Sequence, residues 1–514
     1  MKRIVSMLLA ATLILALGVV AHADSTTEHT ITITSPNASG THSYEVYQVF
    51  AGDYEASTGK LSNIVWGSGV NGSALLSALQ SDVVYGQAFA ECTTAEEVAE
   101  VLSGYTSNGE DIAAIAAIIK ANLSNIVAAE GPSPLTVTGD GYYFVMDVTP
   151  AEDMGAGDTY SDYILQVCGD VTATAKDAKA ESDKQVAEDG SEYGNAADYA
   201  IGDEVPYLLS FTVPADYDKY DTYTVIFHDA MSDGLTFNPE SVVVKIDGLI
   251  ITAGYTVNEN PQDDCTFEVI ILNLKGVTGA NASAGSVVTV EYTAILNENA
   301  VITDSGNENT LIVEFSNDPH NSSSTGTTPE TEVTVFTYQL IINKVDNAGN
   351  PLEGAGFTLY MQVDAATEGA QTAAEWGFGE SETDYYLAIG SEITGVTTFE
   401  WTGLDSGSYV LVETTTPAGY NTIDPIYFTI VPVFDNTADD PVLIGLTGEV
   451  TSGNAEFSAE ASTAMLTANI VNNSGSVLPV TGGAGTILLV AVGSIAVISA
   501  LMFIITRKRV FAMN

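Results

Sequence analysis

The chain has 514 residues, 67 acidic against 14 basic, and a formal net charge of −53. So acidic a surface repels nucleic acid and other anionic polymers, which excludes them as partners and resists self-collapse. Five histidines, one of them His22 near the N-terminus, and no recognisable nucleophile motif argue against a hydrolase.

The N-terminus opens with Lys2 and Arg3, runs apolar from Ile4 to Val20 and reaches Ala21-His22-Ala23. This is the pattern of a secretory signal peptide over 1–23, with a mature start at Asp24. The first third then carries three stretches of helical spacing, Ser73 to Ser81, Thr94 to Leu102 and Asp111 to Ala128. Elsewhere the chain alternates as strands do, in Thr30–Thr34, Ser241–Ile246, Thr289–Ala294, Glu332–Phe336 and Tyr427–Val431. Short strands between Gly, Asn, Asp and Pro turns, with no helix–strand alternation, predict an all-β fold of stacked immunoglobulin-like sandwiches.

At ~100–200 residues per domain, the exterior portion holds about three. Ala175 to Asp183 is charged and lacks a strand pattern, and His320 to Glu330 is rich in Ser, Thr and Asn; both read as breaks. The expected domains are 24–175, 176–337 and 338–475, followed by a tail over 476–514. Cys92 and Cys168 share the first domain and a pairing between them is open in an oxidising exterior, leaving Cys265 over. The cysteines show no metal-ligand spacing, and neither metal nor cofactor is expected.

The tail reads Leu478-Pro479-Val480-Thr481-Gly482, an apolar run over 486–505, then Arg507-Lys508-Arg509. Twenty apolar residues suit a bilayer-crossing helix, which needs ~20, and the basic cluster marks its cytoplasmic side. Between Asp24 and Thr481 only nine lysines and no arginine face 67 acidic residues, about −58 in all. Each lysine is therefore conspicuous. Lys344 interrupts an apolar strand beginning Leu340-Ile341-Ile342, and Glu413 sits between Val412 and Thr414.

The tail resembles a sortase sorting signal, Leu-Pro-any-Thr-Gly before a membrane segment and a basic end. In that family a transpeptidase cuts between Thr and Gly, here Thr481 and Gly482, and joins the Thr carboxyl to an amine. The segment Tyr409-Val410-Leu411-Val412-Glu413-Thr414-Thr415-Thr416-Pro417-Ala418-Gly419-Tyr420 is similar to the E-box of backbone pilins of sortase-assembled Gram-positive pili, of the SpaA/FimA-like kind. Leu340 to Asp346 and Pro351 to Phe357 look like a collagen-adhesin B-type sandwich. Phe227-His228-Asp229 and Gly234 to Phe237 look like the middle pilin domain.

The resemblance implies autocatalytic Lys–Asn isopeptide bonds, made once per domain rather than in turnover. It assigns Lys344 as nucleophile, Glu413 as proton shuttle and Asn472 as acceptor in the third domain, with Asn473 as alternative acceptor. It assigns Lys184, Asp229 and Asn309 in the second, with Asn317 as competitor. The chemistry accounts for the residue types: burial neutralises the amine, and a buried protonated carboxyl polarises the amide and moves protons. The pilus-linking lysine falls on Lys176, with Lys179 next. Ala175 stands where the family has proline, and no Asn follows Lys176. The implied partners are pilus-type and housekeeping sortases, copies of the chain, minor pilins, peptidoglycan and an unspecified host or cell-surface ligand. The rival expectation is a monomeric wall-anchored adhesin, or a minor pilin at tip or base.

Overall fold

The computed structural model describes residues 27–35, 38–105, 110–175, 178–188, 192–319, 321–435 and 437–474. The signal segment, Lys176, the sorting pentapeptide and the apolar run over 486–505 lie outside the described residues. The chain divides into two compact units, Met1–Thr337 with Phe434–Leu443, and Tyr338–Val433 with Ile444–Asn514.

The first unit begins with strand Glu28–Thr34, flanked antiparallel by Leu135–Thr138 and parallel by Val171–Thr174. The long strand Ser43–Glu55 centres a second sheet with Lys60–Trp66, Ala129–Pro132, Gly141–Asp147 and Asp162–Val167. A register shift between Gln48 and Phe50 lets this strand serve two cores. Tyr44 and Val46 pack with Ile31, Val137 and Val145; Val49 and Phe50 pack with a helical layer. That layer holds helices Gly72–Ser81, Gly86–Phe89, Ala95–Ser103 and Glu110–Lys120.

The helices start where side chains satisfy free backbone donors. Asn71 caps Ala74, and Thr94 with Glu97 forms a capping box. Leu75, Leu79, Val98, Ile115 and Ile119 form their buried stripe. Each such burial stabilises by about 1.5–3 kcal/mol. The fourth helix ends at Lys120 rather than continuing to Ala128. The Asn122 side chain donates to the Ile118 carbonyl, Leu123 bridges Val70, and Ser124 N–H donates to Gly69 O, drawing the chain off the helix. Cys92 is buried in this layer, and Cys92, Cys168 and Cys265 are all free, so the pairing left open between Cys92 and Cys168 is not formed.

The rest of this unit is a sandwich. One sheet runs in the order Glu192–Gly194, Glu181–Glu188, Glu204–Thr212, Val287–Leu296, Leu235–Ile246, Leu249–Ile251. The other runs Ala196–Asp198, Thr331–Phe336, Asn307–Ser316, Val225–Met231, Phe267–Ile271, Thr256–Asn258. Alternation places Tyr207, Leu209, Phe211, Val288, Val290 and Tyr292 inward from one sheet, and Val225, Phe227, Phe267, Leu311 and Val313 from the other. Glu181 to Asp183, read from sequence as part of a break, already belong to a strand. Glu181 and Asp183 are exposed and Ser182 half-buried, while the backbone pairs with Ser210, Phe211 and Thr212. Thr325–Thr327, in the second expected break, pairs with Asn307–Ser316.

One close approach ties the start of this sandwich to the preceding loop. Gly157 has φ +84, a conformation that favours glycine. Its N–H donates to Thr327 O and its carbonyl accepts from Ala180 N–H. An added Cβ there would lie 2.8 Å from Ala180 O.

The second unit pairs Tyr338–Asp346 antiparallel with Thr398–Leu404 and parallel with Met465–Asn472, with Phe457–Glu460 at the edge. A larger sheet runs Gln371–Thr372, Tyr385–Ala388, Gly356–Val363, Gly407–Thr415, Ile426–Phe434, Leu443–Ser452. Leu340, Ile342, Phe357, Leu359, Phe399, Leu411, Phe428 and Ile470 are buried.

Candidate functional site

Three charged or polar residues lie where the alternation of the first unit's sandwich calls for apolar ones. Lys184 is the inward residue of Glu181–Glu188, level with Leu209 on the neighbouring strand, and is 1% exposed. Asp229 follows Val225 and Phe227 on the inward face of the opposite sheet. Asn309 precedes Leu311 and Val313 on the adjoining strand, and both Asp229 and Asn309 are fully buried. Because Asp229 pairs with Leu311 and Met231 with Asn309, the two side chains are diagonal neighbours, and Lys184 reaches them from across the core.

The amine is held at hydrogen-bond distance from both. Lys184 Nζ donates to Asp229 Oδ2 at 2.5 Å, to Asn309 Oδ1 at 2.6 Å and to Thr310 O at 3.1 Å. Tyr292 completes the cluster: its hydroxyl donates to Asp229 Oδ2 at 2.8 Å and accepts from Asn309 Nδ2 at 2.9 Å. Tyr207 stacks on Tyr292 with ring centroids 5.1 Å apart, and Lys184 Nζ lies 5.7 Å from the Tyr207 ring centroid. Asp229 Oδ1 is buried without a hydrogen-bond partner.

Burial decides the electrostatics. It pulls the Lys184 ammonium down to about 8, against the attraction of Asp229. It raises the Asp229 carboxyl above the usual range, against Lys184 and Tyr292. Both shifts favour the neutral pair, an amine beside a carboxylic acid. A neutral amine has the lone pair needed for attack, and a carboxylic acid beside Asn309 can polarise the amide carbonyl.

The second unit has a related arrangement. Lys344 continues the inward series Tyr338, Leu340, Ile342 and is fully buried; its Nζ donates to Ile470 O at 2.9 Å. Asn472 ends the parallel partner strand after Leu466, Ala468 and Ile470, also inward and fully buried. Asn472 Nδ2 donates to both carboxylate oxygens of Glu413, at 2.8 and 3.1 Å, and Glu413 Oε2 also accepts from Ile423 N–H. Asn472 Oδ1 is buried without a partner. Burial pulls Lys344 down to about 8, opposed by Glu413, and raises the Glu413 carboxyl. The structure thus joins Glu413 to Asn472 directly and buries Lys344 on the adjoining strand, bonded to a backbone carbonyl.

The alternatives named from sequence fall elsewhere. Asn317 is buried but accepts from Ser324 Oγ at 2.8 Å, away from Lys184. Asn473 lies just past the end of strand Met465–Asn472 and is exposed. Lys179 is exposed and its backbone bridges Asp158. Sequence reasoning missed Tyr292, although its place between Val290 and Ala294 on the inward face of a strand was a readable signal.

A buried lysine–carboxyl–asparagine cluster thus stands in one sandwich and a related arrangement in another. The description "Gram-positive pilin backbone subunit 2, Cna-B-like domain" matches residues 201–319. "SpaA: Prealbumin-like fold domain" matches 338–439, and "LPXTG cell wall anchor motif" matches 470–510. The "Trypsin-resistant surface T6 protein" of Streptococcus pyogenes serotype M6 is 25% identical over 353 residues, covering 60% of this chain and 65% of that relative. The solved T6 backbone pilin of the same organism, described as a modular three-domain structure, superposes with a TM-score of 0.51 at 16% identity. It covers 87% of this chain and 99% of that one. The full-length major pilin SpaD of Corynebacterium diphtheriae gives 0.48 at 16%, over 88% and 98%. The chain thus carries a Gram-positive pilin backbone domain, a SpaA domain and a cell wall anchor motif, and the anchor motif makes it an extracellular protein attached to the cell wall.

Proposed function

We propose that this chain is the repeating subunit of a covalently polymerised pilus, stapled inside two of its sandwiches by self-made isopeptide bonds. The observation that carries the stapling is the contact of Lys184 Nζ with both Asp229 and Asn309 in a fully buried core. In the reaction the Lys184 lone pair attacks Asn309 Cγ. Asp229 donates its proton toward the amide and collects one from the attacking amine. The Cγ–Nδ2 bond breaks, ammonia leaves, and an Nζ–Cγ amide remains. Lys344, Glu413 and Asn472 play the same roles in the last domain. We read the chain as domains over 24–175, 176–337 and 338–475 behind a cleaved signal peptide, with a transient membrane helix over 486–505.

In this reading a pilus-type sortase cleaves between Thr481 and Gly482 and passes the Thr481 acyl group to Lys176 of the next subunit. A head-to-tail contact of this sort does not close on itself, so it grows a filament. A housekeeping sortase then joins the last subunit to peptidoglycan. Exposed Lys179, three residues on, is the alternative acceptor. The absence of the family proline and asparagine around Lys176 is what favours the other reading, a wall-anchored adhesin or minor pilin that never polymerises.

Intact mass and peptide mapping of the full-length chain test the stapling. Each bond removes one ammonia, about 17 Da by atomic arithmetic. Two losses are expected, each abolished by Lys184→Ala or Lys344→Ala; an unmodified mass would sink the mechanism. A covalent ladder in wall extracts that collapses in Lys176→Ala supports the shaft subunit. A single band from the unmodified chain would favour the adhesin.

A further inference from the structure

The outer face of the strand that carries Asp229 holds a second cluster which the isopeptide chemistry does not use. His228, one residue before Asp229, points to the opposite side of the sheet. Glu268 stands directly across from it on Phe267–Ile271. The approach to that strand, Asp263-Asp264-Cys265-Thr266, folds back over the same spot. The ligand atoms of His228, Asp263 and Cys265 all lie within 4.8 Å of one another. His228 Nδ1 is 3.1 Å from Asp263 Oδ2 and 3.4 Å from Glu268 Oε1, and its Nε2 is 3.4 Å from Glu314 Oε2.

We propose that His228, Asp263 and Cys265, with Glu268 or a water as fourth ligand, form a binding site for a zinc-class divalent transition metal. The donor set selects the ion. An imidazole, a thiolate and a carboxylate suit Zn²⁺, whereas Ca²⁺ and Mg²⁺ take all-oxygen shells. Bond lengths of about 2.0–2.3 Å in a tetrahedron place donors roughly 3.3–3.8 Å apart. The present spacing therefore needs a contraction of at most about 1.5 Å. Binding through Nδ1 leaves the Nε2 proton aimed at Glu314, the outer carboxylate that commonly orients a metal-bound imidazole. The surrounding charges suit a cation, since the carboxylates of Asp263, Glu268 and Glu314 all converge on the His228 ring.

The backbone holds the two halves together without a metal. Thr266 N–H donates to Asp229 O at 2.7 Å, and Thr266 Oγ1 accepts from Met231 N–H at 2.9 Å. Cys265 N–H donates to Asp263 Oδ1 at 3.2 Å. The Asp263–Cys265 turn is thus pinned, through Thr266, to Asp229 and Met231 on the strand of His228.

The test is a Zn²⁺ titration of the full-length chain in detergent, against a chromogenic chelator, with Co²⁺ as spectroscopic substitute. One tightly held equivalent is expected, with a thiolate-to-cobalt charge-transfer band. Cys265→Ser should remove that band, and His228→Ala should weaken binding by about tenfold or more. Glu314→Gln, a positioning variant, should weaken binding by about tenfold while keeping the band. Circular dichroism of each variant checks whether it keeps its sheets, so that lost binding is not mistaken for lost fold. Two results would overturn the site: stoichiometry and affinity unchanged in both Cys265→Ser and His228→Ala, meaning ions scattered over carboxylates, or displacement of Zn²⁺ by equimolar Ca²⁺.

Discussion

Lys184 Nζ and Asn309 Oδ1 stand 2.6 Å apart although 125 residues separate them in sequence. A bond across this gap would close a loop of that length. Cross-links of such reach stabilise by about 5 kcal/mol in the chain-entropy account, before any strain. Asn309→Ala removes the acceptor while leaving the Lys184–Asp229 pair to satisfy itself. The expected outcome is loss of one ammonia-release event and a clear drop in amide-exchange protection along Val225–Met231. Exchange in Tyr338–Asp346 should not move. Unchanged protection in the middle strands would show that no staple forms there.

Tyr292 touches both the acid and the acceptor, so it should set the rate rather than the possibility of the reaction. Its hydroxyl bonds Asp229 Oδ2 and Asn309 Nδ2. Tyr292→Phe keeps the ring stacked on Tyr207 and removes these two bonds. At about 1 kcal/mol per neutral hydrogen bond, bond formation should slow by roughly five- to thirtyfold and still finish. Peptide mapping of cell-free product at successive times reads this out. Equal rates for both proteins would remove Tyr292 from the mechanism.

The pH dependence follows from the paired shifts. Reaction needs Lys184 neutral and Asp229 protonated, which together hold one proton. Below the raised Asp229 value the pair binds a second proton and the amine is blocked. Above about 8 it loses its only proton. Newly made chain jumped to different pH values should therefore bond fastest on a plateau below about 8 and slow on both sides, a bell belonging to the pair. A rate that keeps climbing past pH 9 would contradict the acid role of Asp229.

Linkage gives a second handle on the same lysine. In Asn309→Ala the folded chain releases the Lys184 proton near 8, while the unfolded chain keeps it until the ordinary lysine value of 10.5. Between these limits the unfolded state binds more protons, so this group makes stability rise with pH. Lys184→Met in the Asn309→Ala background should abolish that rise. Urea midpoints of the two proteins at pH 7 and pH 10 make the comparison; parallel behaviour would mean that folding does not lower the Lys184 value.

Much of this architecture was legible because strands advertise themselves by period. Thr30–Thr34 and Thr289–Ala294 alternate, and so do the strands that contain them, Glu28–Thr34 and Val287–Leu296. Lys344 and Glu413 stood out as charges inside apolar strands, which is how a buried cluster shows in one dimension. Asn309 was harder to separate from Asn317, since both are inward-facing and only the pairing of Met231 with Asn309 puts one beside Asp229. Tyr292 faces inward between Val290 and Ala294 but was passed over because a tyrosine in a strand usually means packing alone. The His228–Asp263–Cys265 cluster could not be found by spacing, because a loop and two strands bring the residues together. The fourth helix was overread to Ala128 because Leu123, Ile126 and Val127 sustain a helical apolar spacing beyond the Asn122 and Ser124 contacts that end it.

The last domain offers the sharpest separation of chemistry from packing. Glu413 accepts from Asn472 Nδ2 on both carboxylate oxygens and also accepts from Ile423 N–H. Glu413→Gln keeps the volume and an acceptor oxygen but removes the carboxylic acid. Glu413→Ala also strips the buried Asn472 amide of its partner, which costs about 1–3 kcal/mol. The Gln variant should fold with its exchange pattern close to an unbonded Lys344→Met control, and should release no ammonia from this domain. The Ala variant should release none either and be less stable than the Gln variant. An ammonia loss mapped to Lys344–Asn472 in Glu413→Gln would show that the acid is dispensable, and the shuttle would then have to be sought in another group.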